Sequence, residues 1–162
     1  MNPSIELRIR TMIRALTEII MPAVDKDNSL AQEQAGLLVG HLNVLLEHQG
    51  REEMICEVEH SALKRLANAL IDASDGGNVT KAATSRLQAL ADDSDTNTLS
   101  QAIEALIIDA GIDGSASFKN VCDNLVIEHA REETLRARIW FKGMGFDHNP
   151  AVLPDIDSLF ES

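Results

Sequence analysis

The stretch from Ser29 to Gly50, Ser-Leu-Ala-Gln-Glu-Gln-Ala-Gly-Leu-Leu-Val-Gly-His-Leu-Asn-Val-Leu-Leu-Glu-His-Gln-Gly, admits few folds. Ser29 followed three residues later by Gln32 is a capping-box pattern, in which hydroxyl and amide each satisfy a backbone N–H that the first helical turn leaves without a partner. Gly50 supplies a stop, because glycine enters the left-handed conformation that closes a helix. Between them, at about 100° per residue, Leu30, Ala31, Ala35, Leu37, Leu38, Val39, Leu42, Val44, Leu45 and Leu46 spread over more than half the circumference. A helix this broadly apolar is expected at the buried centre of a bundle.

The flanking segments repeat the helical period. Ile5, Ile9, Met12, Ile13, Leu16, Ile19 and Ile20 share one face of a first helix from Pro3 or Ser4 to Val24, with Asn2-Pro3 read as N-cap and N1 and Pro22 kinking or closing its end. A third helix, residues 51–73, carries Met54, Ile55, Val58, Ala62, Leu66 and Ala69, with Leu63 and Leu70 at the margin. Its connection to the second helix is either a hairpin turn or a kink at Gly50. After the loop Ser74-Asp-Gly-Gly-Asn78 comes a short helix from Val79 or Thr80 to Ala91, with Val79, Ala82, Ala83, Leu87, Leu90 and Ala91 as its apolar set. A fifth helix opens on a second capping-box pattern, Thr98 and Gln101, and ends before Gly111. The sixth runs from about Ser117 to Lys142. No strand-like alternation, heptad run or internal repeat interrupts this order. The expected fold is an all-α, single-domain bundle of about six helices over residues 1–146, with a tail, 147–162, packed on it and turning helical near Ile156 to Phe160.

Charge and length narrow the function classes. The 162 residues suit one domain, and the formal net charge is −12. Binding to phosphates requires Lys and Arg in excess on some face, so nucleic acid and anionic membrane are not expected partners. Cys56 and Cys122 lack CxxC spacing and fall within helical segments, as buried free thiols do, which points to a reducing, cytoplasmic setting. The N-terminal segment is charged where a signal peptide is apolar, and no apolar run is long enough for a membrane span. With one Trp, four Phe and no Tyr, aromatic anchors for interfaces or base stacking are scarce.

Four features carry polar chemistry. On the sixth helix, the face defined by Phe118, Val121, Cys122, Leu125, Ile139 and Trp140 also takes in His129, Glu132 and Arg136. This arrangement is either a paired polar layer where the helix leaves the core or meets another subunit, or a ligand or acid–base site. On the second helix, Gln34, His41 and His48 are spaced by sevens, and Gln34 and His41 fall within the apolar arc. His41 could then share a cavity with His129, Glu132, Arg136, Cys122 and Trp140, or be a hydrogen-bonded core residue. Glu57-Val-Glu-His60 has the Glu-x-x-His spacing of di-metal bundles, but Glu57 points off the apolar stripe and no second motif exists, so no metal or other cofactor is expected. Finally, Gly36, Gly40, Asn43 and Glu47 line the polar side of the second helix, where paired glycines suit close approach by helix 1, a second copy or the C-terminal tail. No nucleophile elbow, phosphate loop or activated cysteine is present, so no catalytic residue is assigned.

The run Asp25-Lys-Asp-Asn-Ser-Leu-Ala-Gln-Glu-Gln-Ala-Gly-Leu-Leu-Val-Gly-His-Leu resembles a segment of an uncharacterised family of small bacterial all-helical proteins. The likeness covers about a tenth of the chain and implies a helical fold without implying an activity. Together these readings favour a non-enzymatic interaction or accessory protein that self-associates, with a dimer or another protein as partner. The alternative is a small-molecule pocket between the second and sixth helices.

Overall fold

The computed structural model describes residues 2–92 and 94–161, and among them there are six helices and no strand. α1 begins at Ile5–Ala15, widens into a π-helical stretch at Leu16–Ile20 and closes with the turn Met21–Ala23. Pro22 explains the widening: it has no N–H for the carbonyl four residues back, and its ring presses against that carbonyl. α2 spans Ser29–His48, α3 Glu52–Ala73, α4 Asn78–Leu90, α5 Thr96–Asp113 and α6 Ala116–Trp140. The 3-10 turns Lys142–Met144, Pro150–Val152 and Ile156–Leu159 follow. Asp93, in the expected break between α4 and α5, lies outside the described residues.

Three helix starts differ from the expected ones. Ser4, and not Asn2, caps α1 by accepting from the Leu7 N–H at 3.2 Å. Asn28 displaces Ser29 as the cap of α2, its Oδ1 accepting from the Ala31 N–H at 3.1 Å. Gln32 does reach back, but donates to the Val24 carbonyl at 3.0 Å. Asp95 caps α5 in place of Thr98, accepting both the Thr98 N–H and its hydroxyl. Side-chain carboxylate and amide oxygens cap as well as serine and better than threonine, so the two capping-box patterns, at α2 and α5, shift to the Asx residue upstream. At the other end α5 runs through Gly111 to Asp113, while Gly50 takes φ +81° and interrupts the chain between α2 and α3.

The chain groups into two compact units, the first reaching Met54 and resuming at Arg136, the second spanning Ile55–Leu135. The second unit holds the tighter core: Leu66, Ala67 and Leu70 of α3, Ala83 and Leu87 of α4, Leu99, Ile103, Leu106 and Ala110 of α5, and Phe118 and Cys122 of α6. Burying one such large side chain contributes about 1.5–3 kcal/mol. Ala67 and Leu70 sit deeper than the expected stripe, whereas Met54, Val79 and Ala82 are exposed.

A polar clasp closes this unit. The loop Asp75-Gly-Gly-Asn78 meets Asp113-Gly-Ser115 through Gly77 N–H to Asp113 O at 2.9 Å and Ser115 N–H to Asp75 O at 3.0 Å. The Asp113 carboxylate accepts the Val79 and Thr80 N–H groups, both at 2.9 Å, and the Thr80 hydroxyl at 2.6 Å, capping α4 from the far end of α5. Thr80 is 1% exposed, so its hydroxyl has no recourse to water.

In the first unit, Ile9 and Leu16 of α1 meet Leu42 of α2, with Ile13, Val39 and Leu46 around them. The C-terminal residues belong to the same unit. Arg138 grips Asp147 with two hydrogen bonds, 2.7 and 3.1 Å, Lys142 Nζ donates to the Leu153 carbonyl at 2.9 Å, and Arg51 pairs with Asp157 at 2.6 Å. α2 is therefore not a buried centre: it buries Leu42, Val44 and His48 and leaves Leu30, Leu38 and Leu45 exposed.

These contacts set an acid limit. Hydrogen bonds from Thr80 and Val79 hold the Asp113 carboxyl below its ordinary 3.8, and the Arg138 hydrogen bond lowers Asp147 to about 2. A depressed folded pKa contributes stability that is present above the ordinary value and lost as pH falls through the folded one. Thermal stability is therefore expected to decline between about pH 4 and 2, and Asp147→Asn to flatten part of that decline in melts followed by Trp140 fluorescence. An unchanged profile would show that the Asp147 pairing contributes nothing.

Candidate functional site

Each unit presents one arrangement of polar groups on an apolar ground. In the second unit, a cleft of about 160 Å³ runs between α3 and α6. Its floor is Ala62, Leu66, Ala69 and Leu125, and its rim carries Arg65 from one helix and Glu128, His129 and Glu132 from the other. Arg65 and Glu132 approach to 3.5 Å across the opening. Helical spacing puts His129 and Glu132 on one face of α6, and both line the cleft. The structure corrects their direction: no residue of α6 between Cys122 and Ile139 is buried among those described, and the Glu132 side chain is 51% exposed. α6 leaves the core after Cys122, so the polar trio stands on a half-solvated stretch rather than inside a core stripe. Arg136 is half-buried and belongs to the first unit.

Cys122 and His41 do not line the cleft. Burial pushes the Cys122 thiol upward, with the Asp123 charge adding to the effect, and the side chain packs in the core of the second unit. His41 is exposed on α2, as is Gln34. The buried member of their line is His48, which the spacing by sevens does not distinguish from Gln34 and His41. Its ring stacks on Trp140 with centroids 3.6 Å apart and planes 16° from parallel, and meets the edge of Phe141 at 5.8 Å. His48 Nε2 lies 2.7 Å from the Trp140 carbonyl. A carbonyl only accepts, so Nε2 carries the hydrogen.

The glycine side of α2 is half covered. A Cβ on Gly40 would lie 3.9 Å from the Met144 carbonyl, while one on Gly36 would meet nothing within 4 Å. One turn further, Gly143 passes so close to Glu47 and Val44 that a Cβ there would stand 2.8 Å from the Glu47 carboxylate. The approaching body is thus the Lys142–Met144 turn of the same chain. Asn43 remains exposed, and Glu47, half-buried, also accepts Arg51 Nη1 on its backbone oxygen. Cys56 is exposed, contrary to its expected burial. His60 Nδ1 lies 3.1 Å from the Thr96 hydroxyl, and no three His, Cys, Asp or Glu side chains among the described residues converge as a metal site would require.

No helix of the described residues is long and apolar enough to cross a membrane. Compared with known proteins, the chain matches no family model, no curated protein and no solved structure.

Proposed function

We propose that this chain is a non-enzymatic helical interaction or accessory protein that self-associates through the α1–α2 region of its first unit. The observation that carries the reading is the apolar surface left open there: Ile19 is 69% exposed, Leu30 65%, Leu38 48% and Leu45 55%, and Ile5, Leu7, Met12 and Ile20 are exposed with them. Leu38 and Leu45 lie within about 20° of each other on the helical wheel and so form one stripe. The core of the first unit is also less completely buried: among the described residues, the largest side chains buried to under 2% lie in the second. A partly covered core beside exposed aliphatic groups is the condition under which a further layer of burial favours association. A homodimer in a reducing, cytoplasmic setting fits this reading, with Cys56 and Cys122 both free thiols.

Light scattering of the purified protein is expected to give a mass above that of the monomer. Replacing Leu38 and Leu45 together by glutamate removes about 3 kcal/mol of burial and should raise the dissociation constant roughly 100-fold. A wild type that stays strictly monomeric at high concentration would end the proposal. A small-molecule site is the second reading, favoured by the α3–α6 cleft. Of His41, His129, Glu132 and Arg136, the cleft includes His129 and Glu132.

A further inference from the structure

We infer that two copies of this chain pair α2 against α2 in antiparallel sense, so that Gln34 of each bonds His41 of the other; this rests on the self-association reading and fixes the helix and register of the contact. Leu30, Gln34, Leu38, His41 and Leu45 are all exposed and fall within about 80° of the α2 wheel, so they form one seam along the helix. The seam stops at His48, where Trp140 and Phe141 cover it.

Two properties of the seam select a second copy as its occupant. The first is charge. A two-fold contact sets a surface against its own duplicate, and this chain has 26 acidic residues to 14 basic ones. α2 carries two charged carboxylate side chains, Glu33 and Glu47, and both lie at least about 60° outside the seam, so two copies meet there without placing like charges face to face. The second is order. Apolar, polar, apolar, polar, apolar reads alike from either end. About a two-fold axis passing between Leu37 and Leu38, Leu30 falls opposite the copy's Leu45, Leu38 beside the copy's Leu37, and Gln34 opposite the copy's His41.

Polar groups on a contact face are costly unless they find partners. The Gln34 amide holds both donors and an acceptor, so it completes a hydrogen bond to the imidazole whichever ring nitrogen carries the hydrogen. Sliding the helices buries Gln34 or His41 against leucine, and matched polar positions of this kind fix register in paired helices. A parallel pair would set Gln34 against Gln34 and His41 against His41. It would also bring like ends of the two helix dipoles together, whereas the antiparallel pair sets each N-terminus beside a C-terminus.

The test places single cysteines in the full chain, with the exposed Cys56 removed by Cys56→Ser and the buried Cys122 retained. Gln34→Cys and His41→Cys are oxidised separately and as an equimolar mixture, and the disulfide-linked dimer is followed by non-reducing electrophoresis. The mixture is expected to link at least tenfold faster than either variant alone. In the antiparallel register positions 34 and 41 each lie seven residues, about 10 Å along the axis, from their own duplicates, beyond the reach of a disulfide. In light scattering, Gln34→Glu with His41→Lys should still associate, and Gln34→Glu with His41→Glu should do so at least tenfold more weakly. Self-linking of either cysteine variant as fast as the mixture, or equal dissociation constants for the two charged pairs, would overturn the register. A dimer that links at neither position makes its contact elsewhere: the α2 pairing then fails while self-association stands. A strict monomer ends both.

Discussion

Replacing Gly77 by alanine is expected to destabilise the Ile55–Leu135 unit by about 3 kcal/mol. The new Cβ would fall against the Asp113 carboxylate, 2.7 Å from its Cγ, in addition to closer contact with Oδ2. A flexible side chain could swing aside, but this one is fixed at both oxygens. It caps two N–H groups of α4 and takes the Thr80 hydroxyl, while the backbone of the same residue accepts the Gly77 N–H. Moving it strands donors that are removed from water, and buried donors without acceptors are costly. Gly111→Ala provides the contrast within the same unit. It lies inside α5 with nothing within 4 Å of the new methyl, so the helix-propensity gain of up to about 1 kcal/mol should appear as added stability. Urea melts followed by circular dichroism measure both; equal effects from the two substitutions would mean that the clasp does not hold α4 to α5.

The clasp also marks how far the sequence could be read. Helix number and type followed from the spacing of apolar residues, which depends only on local backbone geometry. Asp113 and Thr80 lie 33 residues apart, and nothing in either loop, Asp-Gly-Gly-Asn or Asp-Gly-Ser, announces the other. Caps moved by one to three residues because Ser29 and Thr98 each had an Asx residue upstream able to compete. Extending the stripe from Phe118 to Cys122 along α6 to Ile139 puts Glu132 on an inward face, and the structure exposes it. The helix is long enough to outrun the core that buries its first half, and periodicity reports a face without reporting what covers it. For the same reason α2 looked central: its broad apolar arc is covered on parts only, by α1 and by the Lys142–Met144 turn.

His48→Ala should remove about 2–3 kcal/mol from the first unit, combining the loss of a buried ring with a Trp140 carbonyl deprived of its donor. The reason His48 matters and His41 does not lies in coverage. The two differ by about 20° around α2, since seven residues fall slightly short of two turns. The rings of Trp140 and Phe141 meet this line of α2 at His48, which is buried to 7% between the indole and the Phe141 edge, whereas His41, two turns earlier, is exposed. His48→Phe separates the contributions: it preserves an aromatic ring for the stack and removes the N–H, so a loss near 1 kcal/mol is expected, the size of one hydrogen bond. Trp140 is the sole tryptophan, so its emission reports this contact directly and should shift to longer wavelength in His48→Ala as water reaches the indole, and less so in His48→Phe. If the two variants lose stability equally, the hydrogen bond alone fastens the end of α2 to the C-terminal segment and the stacking contributes nothing. If neither loses any, the sandwich is a consequence of the fold and not one of its supports.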